Sequence, residues 1–398
     1  MAMSRNLYIE LLLIKKGVSS GYQEYVFNLL NYFYNHREEI RYDNIIIWCK
    51  DSEKEAFDSF RDCFEVRGFS FSSFYKRLYL QTILPIKEKV GGNDLVFYPG
   101  NTSGLLKRGK ELLTVHDLLF KRKNWLPKRL MRIHREIFIP RSLRKADAVV
   151  AISNFTKDDI EKYYPFAKGK IHVVYNSMNF RKFGQQIKSQ NCVGYFLAIC
   201  SNAFHKNLST ILKGFECYCK KGGDKNLVFV GKIKNSGPAF DIYNSFPSEI
   251  RERIKTVVNI PNEELGQLYI NASAYVSASL FEGWGMPVVE AMSFNLPVIL
   301  SDIPPHREVS MNRGVYFNAT DYEELSEKMI KLATVGCNCA DKIKTVFSEE
   351  NTSARYVELI NRMNAESQLG GGKFRLESRV DSLELARSYS LAERRVAA

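Results

Sequence analysis

Two glutamates eight residues apart, Glu282 and Glu290, frame the run FEGWGMPVVE, and their setting makes them a chemical pair. Residues 277–309 read SASLFEGWGMPVVEAMSFNLPVILSDIPPHREV, which is an apolar strand ending near Ser277, a loop, and then a helix. Gly283 and Gly285 permit close backbone approach in the loop. Pro287 suits the opening of a helix, where its missing N–H would be unpaired anyway. The free N–H groups of such a helix start receive an anion. Glu290 falls about one turn into the helix, so both carboxylates reach the same mouth, and carboxylates there suit sugar hydroxyls better than phosphate. Trp284 and Met286 shape the loop. The same residues also read as a capped helix carrying two solvated acids.

Other positions carry chemistry of their own. His116 closes an apolar strand in Leu113-Thr114-Val115-His116-Asp117-Leu118. A neutral imidazole there donates to a sugar hydroxyl or accepts from it, or is a satisfied structural histidine. Asp117 caps the following turn. Lys206, in His205-Lys206-Asn207, is either a point-charge partner for phosphate or a solvated residue after a strand. Arg307 and Glu308 either approach the same mouth or pair on the surface. No Asp-x-Asp occurs in the chain, and no metal is expected.

The elements that must position these residues alternate between strand-like apolar runs and helix-length segments. In the first half the strands are Leu7 to Leu13, Ile45 to Cys49, Leu95 to Tyr98, Leu112 to Val115, Ala148 to Ile152 and Ile171 to Tyr175, with a helix over Tyr22 to Phe33. After the polar stretch Gly184 to Asn191 the pattern restarts. Strands at Tyr195 to Ile199, Leu227 to Val230, Thr256 to Val258, Ala274 to Ser277 and Pro297 to Leu300 alternate with helices at Leu208 to Lys220 and Glu263 to Asn271. Such alternation predicts parallel sheets covered by helices on both faces, with ligands at the carboxyl ends of the strands. A chain of 398 residues, 45% hydrophobic and 25% charged, exceeds one ordinary core, so two such domains are expected.

Charge is one-sided. Residues 1–182 hold 32 Lys+Arg against 20 Asp+Glu, which places +12 of the net +13 in the first half. The densest stretch, Phe120 to Lys145, interleaves Lys128, Arg129, Arg132 and Arg135 with Trp125, Leu130, Ile133 and Phe138. It reads either as a seat on an anionic leaflet or as a solvated helix packed on its own domain. Nucleic acid is set aside because no helix-turn-helix, zinc finger or RNP-like motif accompanies the charge. The apolar runs fall far short of the roughly 20 residues that span a bilayer. Eight cysteines lack zinc or redox spacing and are expected as reduced thiols in the cytosol. Gly370-Gly371-Gly372 and Leu376-Glu377-Ser378-Arg379-Val380-Asp381, the translation of abutting restriction sites, mark 368–398 as an expected vector-derived tail.

The Glu282-x7-Glu290 run, followed by Pro297-Val298-Ile299, closely resembles the donor-binding signature of retaining GT-B glycosyltransferases, the family 4 group that includes bacterial mannosyltransferases. Leu113 to Leu118, Ala146 to Ser153, Val173 to Asn176, Ala198 to Leu208 and Phe347 to Ile360 resemble other family segments in the family's order. The resemblance implies an α/β, GT-B architecture of two doubly wound Rossmann-like domains facing across a cleft. Residues 1–184 would bind the acceptor, 185–350 the nucleotide-sugar donor, and 351–367 would form a C-terminal helix crossing back to the first domain. By the same resemblance Lys206 would pair with the diphosphate and Glu290 hold the ribose hydroxyls. Glu282 and the backbone of Gly283, Trp284, Gly285 and Met286 would hold the transferred sugar. His116 would sit beside the reacting centre, with Gly21 and Tyr22 in the loop near the acceptor. Ser201, Ser177 and Asn295 depart from the family, which usually has Arg at the first and Gly at the others.

The implied activity is metal-independent transfer, with retention, of a hexose onto a hydroxyl of a bacterial surface glycan, lipid-linked, at the cytoplasmic face of the membrane. GDP-mannose is the favoured donor and a UDP-hexose the next, with no cofactor beyond the substrate. An anionic membrane surface is a further expected partner. Two alternatives share the fold or the charge: a nucleotide-sugar epimerase, a class lacking the Glu-x7-Glu signature, and a non-catalytic sugar-nucleotide or membrane-binding module.

Overall fold

The structure, a computed structural model, describes residues 4–17, 20–122, 129–185, 194–334 and 338–369. The chain forms two compact units, one built from residues up to Met178 together with the segment from Phe347, the other from Asn179–Val346. Each is a parallel sheet covered by helices.

Unit 1 contains β1 (Asn6–Glu10), β2 (Asn44–Lys50), β3 (Glu65–Phe69), β4 (Leu95–Tyr98), β5 (Lys110–Val115), β6 (Ala148–Ala151) and β7 (Ile171–Val173), in the order β3-β2-β1-β4-β5-β6-β7. Successive strand residues point to opposite faces. Leu7, Ile9, Ile45, Ile47, Leu95 and Phe97 therefore enter one core, while Tyr8, Ile46, Trp48, Val96 and Tyr98 enter the other. Burial on both faces explains why β4 and β6 read as unbroken apolar runs.

Unit 2 contains β8 (Tyr195–Ile199), β9 (Asn226–Val230), β10 (Ile254–Val257), β11 (Ala274–Ser277), β12 (Val298–Ser301) and β13 (Val315–Phe317), ordered β10-β9-β8-β11-β12-β13. In both sheets the winding direction reverses once, between β1 and β4 and between β8 and β11. A reversal point of this kind leaves a crevice at the carboxyl ends of the two strands.

Both unit boundaries fall a few residues before 184, expected from the polar stretch, and 350, implied by the family resemblance. The turn Phe180–Phe183 packs Phe183 edge-on against Tyr269 and Phe294, so an aromatic anchor commits the chain to unit 2 ahead of the polar run. The chain returns to unit 1 at Phe347, whose carbonyl accepts from the Met178 N–H at 2.9 Å. The helix Glu349–Leu369 then fills unit 1's first core with Tyr356, Val357, Ile360 and Met363. The Tyr356 hydroxyl accepts from Tyr25 at 2.8 Å and lies 3.2 Å from Thr114, a buried triangle joining helix, helix and sheet.

Candidate active site

Lys206 and Glu282 occupy the two segments that leave β8 and β11, on either side of unit 2's reversal point. The turn Phe204–Lys206 ends at Asn207 in the left-handed region (φ 53°). The Asn207 amide donates to the carbonyls of Ala278 at 3.0 Å and Ala319 at 2.7 Å, and the Leu280 N–H donates to the His205 carbonyl at 2.7 Å. These bonds lash the two loops together, and the Lys206 Nζ reaches both Glu282 oxygens, at 2.7 and 2.8 Å. Burial pushes the Glu282 carboxyl up, but the Lys206 charge, with hydrogen bonds from Lys206 and the Ser279 hydroxyl, holds it below the usual carboxylate range.

Gly285 precedes the helix Met286–Ser293 at φ 118°, a conformation that L side chains rarely adopt, and Pro287 lies in the first turn. Trp284 is 3% exposed; Gly283 and Met286 are half-buried. Glu290 is held from two sides. Lys182 Nζ donates to Oε1 at 2.6 Å and the Tyr269 hydroxyl to Oε2 at 2.7 Å. Both glutamates bear on the buried Tyr275, whose hydroxyl pKa is raised by burial, then by Cys200, Glu282 and Glu290.

The expected residues of unit 1 gather at its own reversal point. His116 follows β5, next to the segment leaving β4. Its Nε2 lies 2.7 Å from the Pro99 carbonyl, which only accepts, so the ring carries its proton there and leaves Nδ1 as an acceptor. The His116 N–H donates to Asn101 Oδ1 at 2.6 Å. Tyr22 and Tyr25 meet the imidazole edge-on, at 5.6 and 4.9 Å. Burial pushes its pKa down against the Pro99 bond and the Asp117 charge, so the ring is neutral. Gly21 opens the helix Gly21–Asn35, capped by the Ser20 hydroxyl, which accepts from Gln23 N–H at 3.2 Å. Asp117 caps the next turn by accepting from Leu119 N–H at 2.9 Å.

Of the basic segment, Lys128 lies outside the described residues and Arg129 opens the helix Arg129–Lys145. Arg132 is half-buried, and Arg135 lies 3.6 Å from Asp117, beside His116. Lys182 and Tyr269 hold Glu290, and Ser279 donates to Glu282; none of the three stands out in the sequence. Lys182 and Tyr269 stand 108 and 21 positions from Glu290, whereas Ser279 lies three from Glu282.

The family described as Glycosyltransferase Family 4 matches residues 21–181, and that described as Glycosyl transferases group 1 matches residues 185–351. In its first and second halves, respectively, the chain is similar to the glycosyltransferases of these two families. Over 235 residues it is 31% identical to the O-antigen chain mannosyltransferase RfbU of Salmonella typhimurium, covering 58% of this chain and 63% of that protein. Over 98 residues it is 32% identical to the GDP-mannose:cellobiosyl-diphosphopolyprenol alpha-mannosyltransferase of Xanthomonas oryzae pv. oryzae, covering 24% and 26%. In each match the chain spans less than two thirds of the curated relative. The fold is also that of sucrose-phosphate synthase from Thermosynechococcus elongatus, with a TM-score of 0.69 at 14% identity over 91% of this chain and 99% of that one. These halves are the two Rossmann-like domains of the GT-B fold.

Proposed function

We propose that the protein transfers a hexose, mannose first among them, from a nucleotide-diphosphate sugar to a hydroxyl of a lipid-linked bacterial surface glycan. Transfer proceeds with retention and without a metal ion. The observation that carries this reading is the Lys206–Glu282 pair at the reversal point of unit 2, next to the start of the helix Met286–Ser293. A diphosphate competes for Lys206, and the released Glu282 accepts from sugar hydroxyls. Lys206 and the positive end of the helix Met286–Ser293 then supply the countercharge to the leaving diphosphate that a divalent cation would otherwise provide. Glu290, anchored by Lys182 and Tyr269, keeps lone pairs for ribose hydroxyls. In unit 1, His116 Nδ1 is placed to accept from a hydroxyl of the reacting sugars. The mannose and O-antigen assignments draw on the relatives named above, as does GDP as the carrier.

The lipid-linked acceptor draws on a surface as well. The helix Phe74–Lys87 exposes Tyr75 and Tyr79, the helix Arg129–Lys145 exposes Ile133 and Ile137, and Leu105 and Leu106 are exposed on the loop at residues 103–107. That loop ties to both helices: Leu105 N–H donates to Thr82 at 3.3 Å and Ser103 N–H to Ser142 at 2.8 Å. Lys76, Lys107, Arg108 and Arg141 are exposed among them. Apolar side chains rimmed by cations fit an anionic leaflet. No helix of the described residues is long and apolar enough to cross a membrane.

Thermal unfolding with GDP, UDP, GDP-mannose and UDP-hexoses tests the donor reading. A ligand at a hundred times its Kd stabilises by about 2.7 kcal/mol, so GDP and GDP-mannose should raise the Tm of the wild type and much less that of Glu290→Ala. If no nucleotide raises it, the donor reading fails; a rise seen only with magnesium removes metal independence.

A further inference from the structure

Beneath the loop at residues 277–286 lies a buried polar chain that begins at His306, on the helix Pro304–Val309, and ends at Glu282. His306 is 1% exposed. Its Nδ1 lies 3.0 Å from both the carbonyl and the hydroxyl of Ser301. A carbonyl only accepts, so Nδ1 carries the proton, and Nε2, 3.4 Å from the Ser277 hydroxyl, accepts. The Ser301 hydroxyl donates onward to the Ser279 carbonyl at 2.6 Å, and the Ser279 hydroxyl donates to Glu282 Oε1 at 2.7 Å. A Cβ at Gly285 would lie 3.9 Å from His306 Cδ2, so the ring underlies the far end of the loop too.

Glu282 thus has two kinds of partner. Lys206 is a partly exposed cation for which, on the donor reading, a diphosphate competes. Ser279 is enclosed by protein, 1% exposed, and held in turn by Ser301. We propose that His306 is a positioning residue for the transferred sugar: by fixing Ser301 and Ser277, and through them Ser279, it keeps Glu282 aimed once Lys206 has moved to the diphosphate. The inference rests on the donor reading above and separates two parts of one ligand. The nucleoside diphosphate needs Lys206 and Glu290; only the sugar needs the aim of Glu282.

The test compares GDP with GDP-mannose by calorimetry, together with kcat and KM, in the wild type, His306→Phe, His306→Asn and Ser279→Ala. Phe keeps the ring's bulk and loses both hydrogen bonds, whereas Asn retains a donor where Nδ1 stands. Binding of GDP should stay within about twofold throughout, while the affinity added by the sugar falls about tenfold in His306→Phe and Ser279→Ala, the scale of one hydrogen bond to a charged group. His306→Asn should recover part of that loss. Parallel weakening of GDP and GDP-mannose, or no change in either variant, overturns the assignment. If His306→Phe fails to fold, Ser279→Ala, which removes one hydroxyl, decides alone. A wild type that binds no nucleotide overturns the donor reading, and this inference with it.

Discussion

The two units share one winding plan and gather their candidate residues beyond the carboxyl ends of their strands, yet with opposite chemistry. In unit 2 every oxygen of Glu282 and Glu290 already has a partner: Lys206 and Ser279 for one, Lys182 and Tyr269 for the other. In unit 1 His116 stands between tyrosine rings, its Nδ1 has no protein partner among the described residues, and the buried Tyr22 hydroxyl has none either. A site closed by half-buried ion pairs opens for a ligand that brings charge of its own, because removing one partner otherwise leaves a costly unpaired charge. A neutral site with a free acceptor suits a hydroxyl. The contrast agrees with the proposal that the diphosphate goes to unit 2 and the hydroxyl chemistry to unit 1.

The sharpest way to break that contrast is a reciprocal pair of substitutions. His116→Ala should lower turnover by about a hundredfold or more, the scale of a lost acid–base group, with nucleotide affinity unchanged. Lys206→Ala should weaken nucleotide binding by about a hundredfold, as expected for a lost hydrogen bond between charged groups. Equilibrium binding and steady-state rates on both variants check this; equal weakening of nucleotide binding by the two would dissolve the division of labour.

A smaller effect concerns the outer surface of unit 1. Tyr75→Ser with Tyr79→Ser should reduce sedimentation with anionic vesicles about tenfold, the scale of one or two apolar side chains leaving a leaflet. Raising the salt should reduce it further. Arg135→Gln should leave it nearly unchanged, because that guanidinium lies beside Asp117. Vesicle binding that ignores the tyrosines and follows Arg135 would return the contact to the segment singled out by charge.

The smallest effect is a flat line. Burial holds the His116 pKa below its ordinary 6.5, so the neutral form that accepts through Nδ1 persists below that pH. The acceptor kcat/KM should therefore hold level from pH 8 to 6.5 and decline only in more acid solution. The sign is the same for stability: the unfolded chain takes up this proton first, so the His116 contribution is present above pH 6.5 and lost as the pH falls towards the folded value. A decline beginning above pH 7 would contradict the assignment.

How much of this was legible depended on whether a residue's burial is a local or a distant matter. β4, β6 and β12 are covered on both faces and announce themselves as LVFY, AVVA and VILS. β3 and β13 sit at sheet edges with one neighbour each, where EVRGF and VYF suffice, and both escaped notice. The Glu-x7-Glu spacing was readable because loop and helix are contiguous. Its supports were not, since Lys182 and Tyr269 converge on Glu290 from distant segments. In PPHREV the charged residues drew attention, yet Arg307 closes on Asp302 and stacks over Tyr316 at 4.1 Å, the surface pairing, while the neighbouring histidine reaches the loop.

The helix Glu349–Leu369 gives the chain an unusual order of assembly. Multidomain proteins generally mature from the N-terminus as they leave the ribosome. Here the first core contains Tyr356, Val357 and Ile360, which emerge only after all of unit 2 has been made, whereas unit 2 is drawn from one uninterrupted stretch. The half that is translated second is complete first, and the half translated first must wait with an open apolar flank for its closing helix. That interval is when a nascent chain of this design most needs a chaperone.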